Sequence, residues 1–265
     1  MTASEPELSV ARIDAELRTA RYGRSLRVVA LTDSTNDDAL RDAAAGAADG
    51  HVVVADAQRS GRGSHGRSWA SPAGTDLYVS IVAQPRLAPA QMPTLTLAVG
   101  LGVADAAEHL LAGGAVDTRV KAQVKWPNDV WLNGKKCAGI LVEARSSLAP
   151  VVIGVGLNVN RLEFPAELAS TACSLRLARP GSAPLDRAVT LAQLLLAIER
   201  SVDRLVAEGP EALMLELSGR LALRGARVRC AEREGSVVGV APSGALRLLT
   251  DHGLIELLAG RIEVL

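Results

Sequence analysis

Aromatic side chains are scarce in this chain: three tryptophans, two tyrosines and one phenylalanine among 265 residues. Cysteine is scarcer still in any useful pattern. Cys137, Cys173 and Cys230 are odd in number and widely spaced, which excludes a zinc-ligand repeat and a disulfide framework and predicts a reducing, cytoplasmic compartment. Charge of either sign is not in excess, with 29 basic and 29 acidic residues, so a general nucleic-acid or membrane surface is not expected. The four histidines, His51, His65, His109 and His252, form no metal-ligand spacing, and no Ser-His-Asp order sits in a recognisable turn. Glu5 and Glu7 stand where a signal peptide would carry a basic flank. The most apolar window, Leu95 to Val116, is interrupted by Asp105, Glu108 and His109 and is read as a buried helix rather than a membrane span.

Apolar residues make up 48% of the chain, enough to bury a full core in one large domain or one large and one small. Periodicity predicts helices over Leu8 to Ala20, after the cap residues Asp33-Ser34-Thr35-Asn36 with an apolar face from Ala39, Leu40 and Ala43, over Gln91 to Leu111, over Asp186 to Val206 and over Pro210 to Gly219. Strands are predicted over Leu26 to Leu31, Val52 to Ala55 and Leu77 to Val82, then one after another from Gln123 to Gly156. Asn133-Gly134 is the strongest hairpin signal. After Gly219 short alternating runs separated by glycine turns predict a small β-barrel, placing a boundary near residue 220.

Two segments carry the chemistry. Gly61-Arg62-Gly63-Ser64-His65-Gly66-Arg67-Ser68-Trp69 combines free backbone N–H groups, fixed positive charge and a flat ring, a combination suited to a phosphate with an attached base. The spacing Gly61-x-Gly63-x-x-Gly66 mimics a dinucleotide fingerprint, but Pro72 and Gly74 follow where that motif needs a helix. It is not a P-loop either, having no Lys-Ser or Lys-Thr after the last glycine.

In Lys125-Trp126-Pro127-Asn128-Asp129 the proline fixes an extended Trp126 and so directs Lys125, Asn128 and Asp129, presenting charge rather than packing. Beyond the predicted hairpin, strict alternation would set Lys136 on the apolar face of Ala138, Ile140 and Val142. Either an anion meets it there or it snorkels into water. Gly139 weakens that strand and marks close approach of a ligand. All three tryptophans fall in or beside these segments, and core use of one or more of them is expected: Trp69 is the candidate for stacking on a base, and Trp131 is read as packing. Ser34, Thr35, Asn36 and Gln58 offer donors and acceptors to a neutral ring such as a urea, and also make sense as helix-cap and loop residues. Gly154-x-Gly156-x-Asn158 ends a strand, as a ribose or metal contact or as a plain turn. Cys137 beside Lys136 is read as a buried strand residue, not a nucleophile.

Taken in order, Ser34-Thr35-Asn36, Gln58 before the Gly-Arg-Gly loop, Lys-Trp-Pro-Asn-Asp, Lys136 in Lys-x-Ala-Gly-Ile-Leu-Val-Glu, and Gly-x-Gly-x-Asn resemble the biotin protein ligases from about residue 25 to the end. The resemblance implies an α+β fold, with a mixed-sheet biotin- and ATP-binding domain over 1–220 and an SH3-like barrel over 221–265. It implies activation of biotin with ATP and Mg2+ to biotinyl-5'-AMP, then transfer to a lysine of a biotin carboxyl carrier protein. It places Ser34, Thr35, Asn36, Gln58, Gly61, Arg62 and Gly63 at biotin, and Lys136 between the biotin carboxylate and the α-phosphate. Arg67, Lys125, Trp69, Asn128 and Asn158 go to ATP, Asn158 near the ribose or magnesium, with no metal ligands assigned. Asp129 would receive the incoming lysine's proton or orient its amine.

Many members carry a second arginine where this chain has Ser64, which implies faster loss of the adenylate here. Only some thirty residues precede Ser34, too few for the winged helix of the operon-repressing members, so no DNA partner is expected, nor a membrane. A monomer or a weak homodimer is expected. The rivals are a lipoate or octanoate ligase of the same superfamily and a non-catalytic biotin sensor.

Overall fold

The structure, a computed structural model, describes residues 7–112, 120–145 and 150–265. Helix α1 (Val10–Glu16) starts at Ser9, whose side chain accepts from the Arg12 N–H. It stops short of the predicted Ala20 because the backbone N–H groups of Ala20, Arg21 and Tyr22 turn instead to the buried carboxylate of Glu199.

Seven strands form one mixed sheet in the order β1-β2-β3-β7-β6-β5-β4. They are β1 (Leu26–Thr32), β2 (Val52–Gln58), β3 (Leu77–Ala83), β4 (Ala122–Lys125), β5 (Asp129–Leu132), β6 (Lys135–Ala144) and β7 (Val151–Leu157). Only β1 and β2 run parallel, because α2 (Thr35–Ala44) carries the chain across between them. Ala39 of α2 packs on Val53, Val82 and Val152 on one face. Against the other lie α3 (Met92–Ala112) and α5 (Arg187–Arg220), sealing the main core. Covered on both faces, β3 is buried at every residue.

The apolar window read from Leu95 is this core helix. By length and composition alone α3 could cross a membrane, but it is largely buried, and Gly102 lets α5 approach so closely that a Cβ there would stand 2.8 Å from the Ala197 carbonyl. The window's last residues, 113–116, lie outside the described residues. The two helices predicted near the C-terminal third form one element, α5, broken at Gly209 (φ 83°) before Pro210.

Asn133 (φ 49°) and Gly134 (φ 81°) both adopt the left-handed region, which closes β5 onto β6 as a two-residue hairpin. The ladder then slips: Trp131 faces Lys136 while Val130 faces Ala138, so Cys137 is an extra, bulged residue. This corrects the alternation read from sequence. Cys137 and Ala138 both enter the core, and Lys136 shares the opposite face with Gly139.

The C-terminal strands β8 (Arg227–Cys230), β9 (Arg233–Val240), β10 (Leu246–Thr250), β11 (Gly253–Leu257) and β12 (Ile262–Val264) form an antiparallel sheet in the order β11-β10-β9-β8-β12. It fits an SH3-like domain, although β11 and β12 do not pair to close a barrel. Leu97, Leu101, Val124 and Trp126 share one apolar cluster with Val228, Val237, Leu246 and Leu248. Trp126 is therefore a core residue at 2% exposure, in line with core use of one or more of the tryptophans, its Nε1 donating to the Gly244 carbonyl at 2.9 Å.

Candidate active site

On the α2 side of the large sheet, a cleft of about 640 Å³ runs from the N-terminus of α2 to the strand end at β12. That volume suits a small molecule joined to a nucleotide. Its floor is bare backbone. A Cβ at Gly154 would stand 2.1 Å from the Asn36 side chain, at Gly156 2.4 Å from Trp69, and at Gly139 2.8 Å from Trp69. Gly139, read as a point of ligand approach, thus makes room first for an indole.

The glycine loop is a tight hairpin. Gly63 N–H donates to the Arg67 carbonyl and Trp69 N–H to the Gly61 carbonyl, both at 2.7 Å, so these two donors are used within the loop rather than held out for an anion. No helix follows the loop. Gly61 must lack a side chain, since a Cβ would stand 2.5 Å from the Trp69 carbonyl. Arg62 reaches across the cleft to Asp37 (2.7 Å) and Glu143 (2.8 Å), while Arg67 folds back onto the carbonyl and hydroxyl of Ser64.

The α2 end of the cleft is neutral and densely hydrogen-bonded. Ser34 caps α2 by accepting from the Asp37 N–H. The Gln58 carbonyl oxygen accepts from the Thr35 N–H (2.9 Å) and hydroxyl (3.1 Å), and its amide donates to Ser71, which donates to the Trp69 carbonyl. Buried Ser80 donates to the Asn36 amide oxygen at 2.6 Å and lies 2.9 Å from the Thr35 hydroxyl. The Asn36 amide nitrogen donates to Glu143. Hydroxyls and amides that both donate and accept match a neutral polar ring.

Positive charge gathers at the other end. Lys136 Nζ lies 2.6 Å from Asp129 Oδ1 and 5.2 Å from the centre of the Trp69 ring. Lys125 lies 5.0 Å from the centre of Trp131 and 3.5 Å from the Ile262 carbonyl, which it can donate to. Burial lowers the Lys125 ammonium below the ordinary lysine value, and the neighbouring charges of Lys136, Arg261 and Arg67 lower it further while Asp129 opposes them. Trp131, read as packing, instead lines this cationic end.

Two predicted contacts are committed to the fold. The Asn128 amide donates to the Ile140 carbonyl, and the buried Asn158 amide donates to the Cys173 carbonyl, although both residues line the cleft. Cys137 is fully buried and its thiol is pushed far above its ordinary value, in line with a packing role. Sequence reasoning missed Ser71, Ser80, the buried pair Asp76–Arg161, and the wall formed by Gly260 to Val264. None has a local signature: Arg161 and the wall line the cleft, while Ser71, Ser80 and Asp76 stand behind it and hold residues that do. Among the described residues no group of three or more His, Cys, Asp or Glu side chains could hold a metal ion.

A mixed sheet holding a lysine between a pocket of hydroxyls and amides and a cationic one suits a small polar molecule on one side and an anion on the other. Residues 28–160 match the model of the biotin/lipoate A/B protein ligase family, and the chain belongs to that family. It is 31% identical over 267 aligned residues, 97% of this chain and 79% of the other, to the bifunctional ligase/repressor BirA of Bacillus subtilis. To a biotin acetyl-CoA-carboxylase ligase of Mycobacterium tuberculosis it is 39% identical over 221 residues, covering 82% of this chain and 79% of the other. Among solved structures, the biotin protein ligase of Aquifex aeolicus in complex with biotin and ATP superposes with a TM-score of 0.78 at 28% identity, covering 91% of this chain and 99% of that one.

Proposed function

We propose that this chain is an ATP-dependent biotin protein ligase, which converts biotin and ATP to biotinyl-5'-AMP and pyrophosphate and then transfers biotin to a lysine of a carboxylase's carrier protein. The observation that carries the reading is the position of Lys136, whose ammonium stands where the neutral pocket meets the cationic one, beside Asp129 and over Trp69.

A carboxylate is a poor acyl donor until its oxygen bears a leaving group. In the first step that oxygen attacks the α-phosphorus of ATP and pyrophosphate departs. Thr35 and Gln58 orient the ureido ring, helped by Ser34 and Asn36, while Gly61 to Gly63 cover it. Lys136 meets the carboxylate and the α-phosphate together, and Lys125 and Arg67 meet the phosphates beyond, so that charge developing in the transition state finds fixed partners. Bound Mg2+ supplies further neutralisation of the phosphates. Trp69 borders the adenine, with Asn128 and Asn158 holding the walls around the nucleotide.

In the second step the carrier's lysine, as a neutral amine, attacks the acyl carbon; an amide forms and AMP leaves. Asp129 is the carboxylate nearest this point and accepts or orients the amine proton. The reading places the chain in the cytoplasm, in keeping with three buried free cysteines. Pyrophosphate release on adding biotin, ATP and Mg2+, followed by labelling of a carrier domain, tests it; binding of biotin without pyrophosphate release would overturn it.

A further inference from the structure

Among the buried residues given no role above, Arg161 lines the cleft and makes several hydrogen bonds. Its Nε (2.8 Å) and Nη2 donate to Asp76, a carboxylate with no exposed surface, and the same Nη2 donates to the Ala70 carbonyl at 2.9 Å. Asp76 also accepts from the Val159 N–H at 2.9 Å, and the Tyr78 hydroxyl lies 3.4 Å from it while donating to the Pro72 carbonyl. The other side of the guanidinium faces the Phe164 ring at 5.1 Å, and the Arg161 carbonyl accepts from Ser174 at 2.6 Å. One side chain therefore ties together two stretches that are far apart in sequence. The first is the turn at 70–72, directly behind Trp69. The second is the wall that begins at Asn158 and continues through Phe164 and Leu168 along the cleft.

An arginine buried this deeply costs stability unless every donor is used for something. An apolar pair would fill the same space. What an apolar pair would not do is fix the backbone after Trp69 in one place relative to the opposite wall, which a planar fork bridging a carboxylate and a carbonyl does. We infer that Arg161 is a positioning residue for adenylation: held by Asp76, it fixes the Ala70 backbone, and through it the Trp69 ring, against the nucleotide-side wall. The inference rests on the ligase reading and adds to it a residue that need not touch substrate.

Arg161→Lys is the discriminating variant, since an ammonium can keep the pair with Asp76 but cannot bridge to Ala70 in the same plane. Steady-state adenylation and amide hydrogen exchange are measured on the full chain. The KM for ATP is expected to rise about tenfold with the KM for biotin within about twofold of the parent, as for a misplaced wall rather than a lost fold. Exchange in the 61–72 segment should quicken while exchange in β3 stays unchanged. Phe164→Leu, which leaves the buried pair intact, should shift the same two readouts less; it carries the test if the lysine variant does not fold. Unchanged ATP KM and exchange in a folded variant would overturn the inference, as would a parallel loss of both KM values and thermal stability, the signature of a purely structural residue. Hydrogen exchange needs no catalysis. A parent chain that released no pyrophosphate would defeat the ligase reading while the exchange arm still decided whether Arg161 holds the turn.

Discussion

Trp69 rests on the bare backbone of Gly156, so closely that a Cβ at Gly156 would stand 2.4 Å from its indole. The ring is sequestered by contact rather than by hydrogen bonding, for its buried Nε1 finds no hydrogen-bond partner among the described residues. Gly156→Ala should therefore push the ring off the sheet without a backbone penalty. The expected result is a loss of about tenfold to a hundredfold in kcat/KM for ATP, with biotin affinity little changed, by analogy with small displacements at other reacting centres. Steady-state kinetics with each substrate varied in turn would show it; equal losses for both would contradict it.

In the proposed mechanism, Lys136 is the group on which the first chemical step depends most. Removing a preorganised charge partner of the transition state costs about a hundredfold to a thousandfold in rate, so Lys136→Ala should slow biotin-dependent pyrophosphate exchange by that amount. It also leaves Asp129 without its 2.6 Å ion-pair partner. Activity within about fivefold of the parent would remove Lys136 from the role given to it.

Lys125 predicts a proton linkage. Burial holds its ammonium below the ordinary lysine value of about 10.4. Charged in the fold but less easily so than in the unfolded chain, it weakens the fold at neutral pH, and that penalty is relieved as pH climbs from the depressed folded value to the ordinary one. Phosphates of ATP act in the opposite sense and favour the charged form. On the alkaline side, ATP binding should therefore take up a proton, seen by calorimetry in buffers of differing ionisation enthalpy. The uptake should vanish in Lys125→Met; uptake that persists there would assign it elsewhere.

Trp126 links the two sheets through its Nε1 bond to Gly244 and its place in their shared core. Trp126→Phe keeps most of the apolar contact and deletes the donor, leaving the buried carbonyl unmet. A loss of about 1–3 kcal/mol is expected, read as a lower urea midpoint with unchanged slope. No change in midpoint would mean that water replaces the indole there.

Element positions were legible in sequence because periodicity and turn chemistry are local properties. Asn133-Gly134 closes the hairpin it announces, and Ser34, one of the expected cap residues, caps α2. The motifs also brought Lys136, Asp129, Lys125 and Trp69 to one cleft. What sequence could not supply depends on pairing across the sheet. The bulge at Cys137 turns Lys136 out of the apolar face assigned by simple alternation, and the same slip is invisible until β5 and β6 are aligned. Trp131, read as packing, lines the cleft for a similar reason, and the C-terminal sheet makes a core around Trp126 that its own segment does not announce. Arg161, 85 residues from Asp76, carries no local sign of its partner.

The central claim is tested most directly by pyrophosphate release with ATP, Mg2+ and biotin, run beside lipoate, followed by addition of a biotin carrier domain. Release that depends on biotin, with the carrier labelled at one lysine and AMP freed, is the expected result. Release with lipoate alone, or biotin binding with no release, would contradict it.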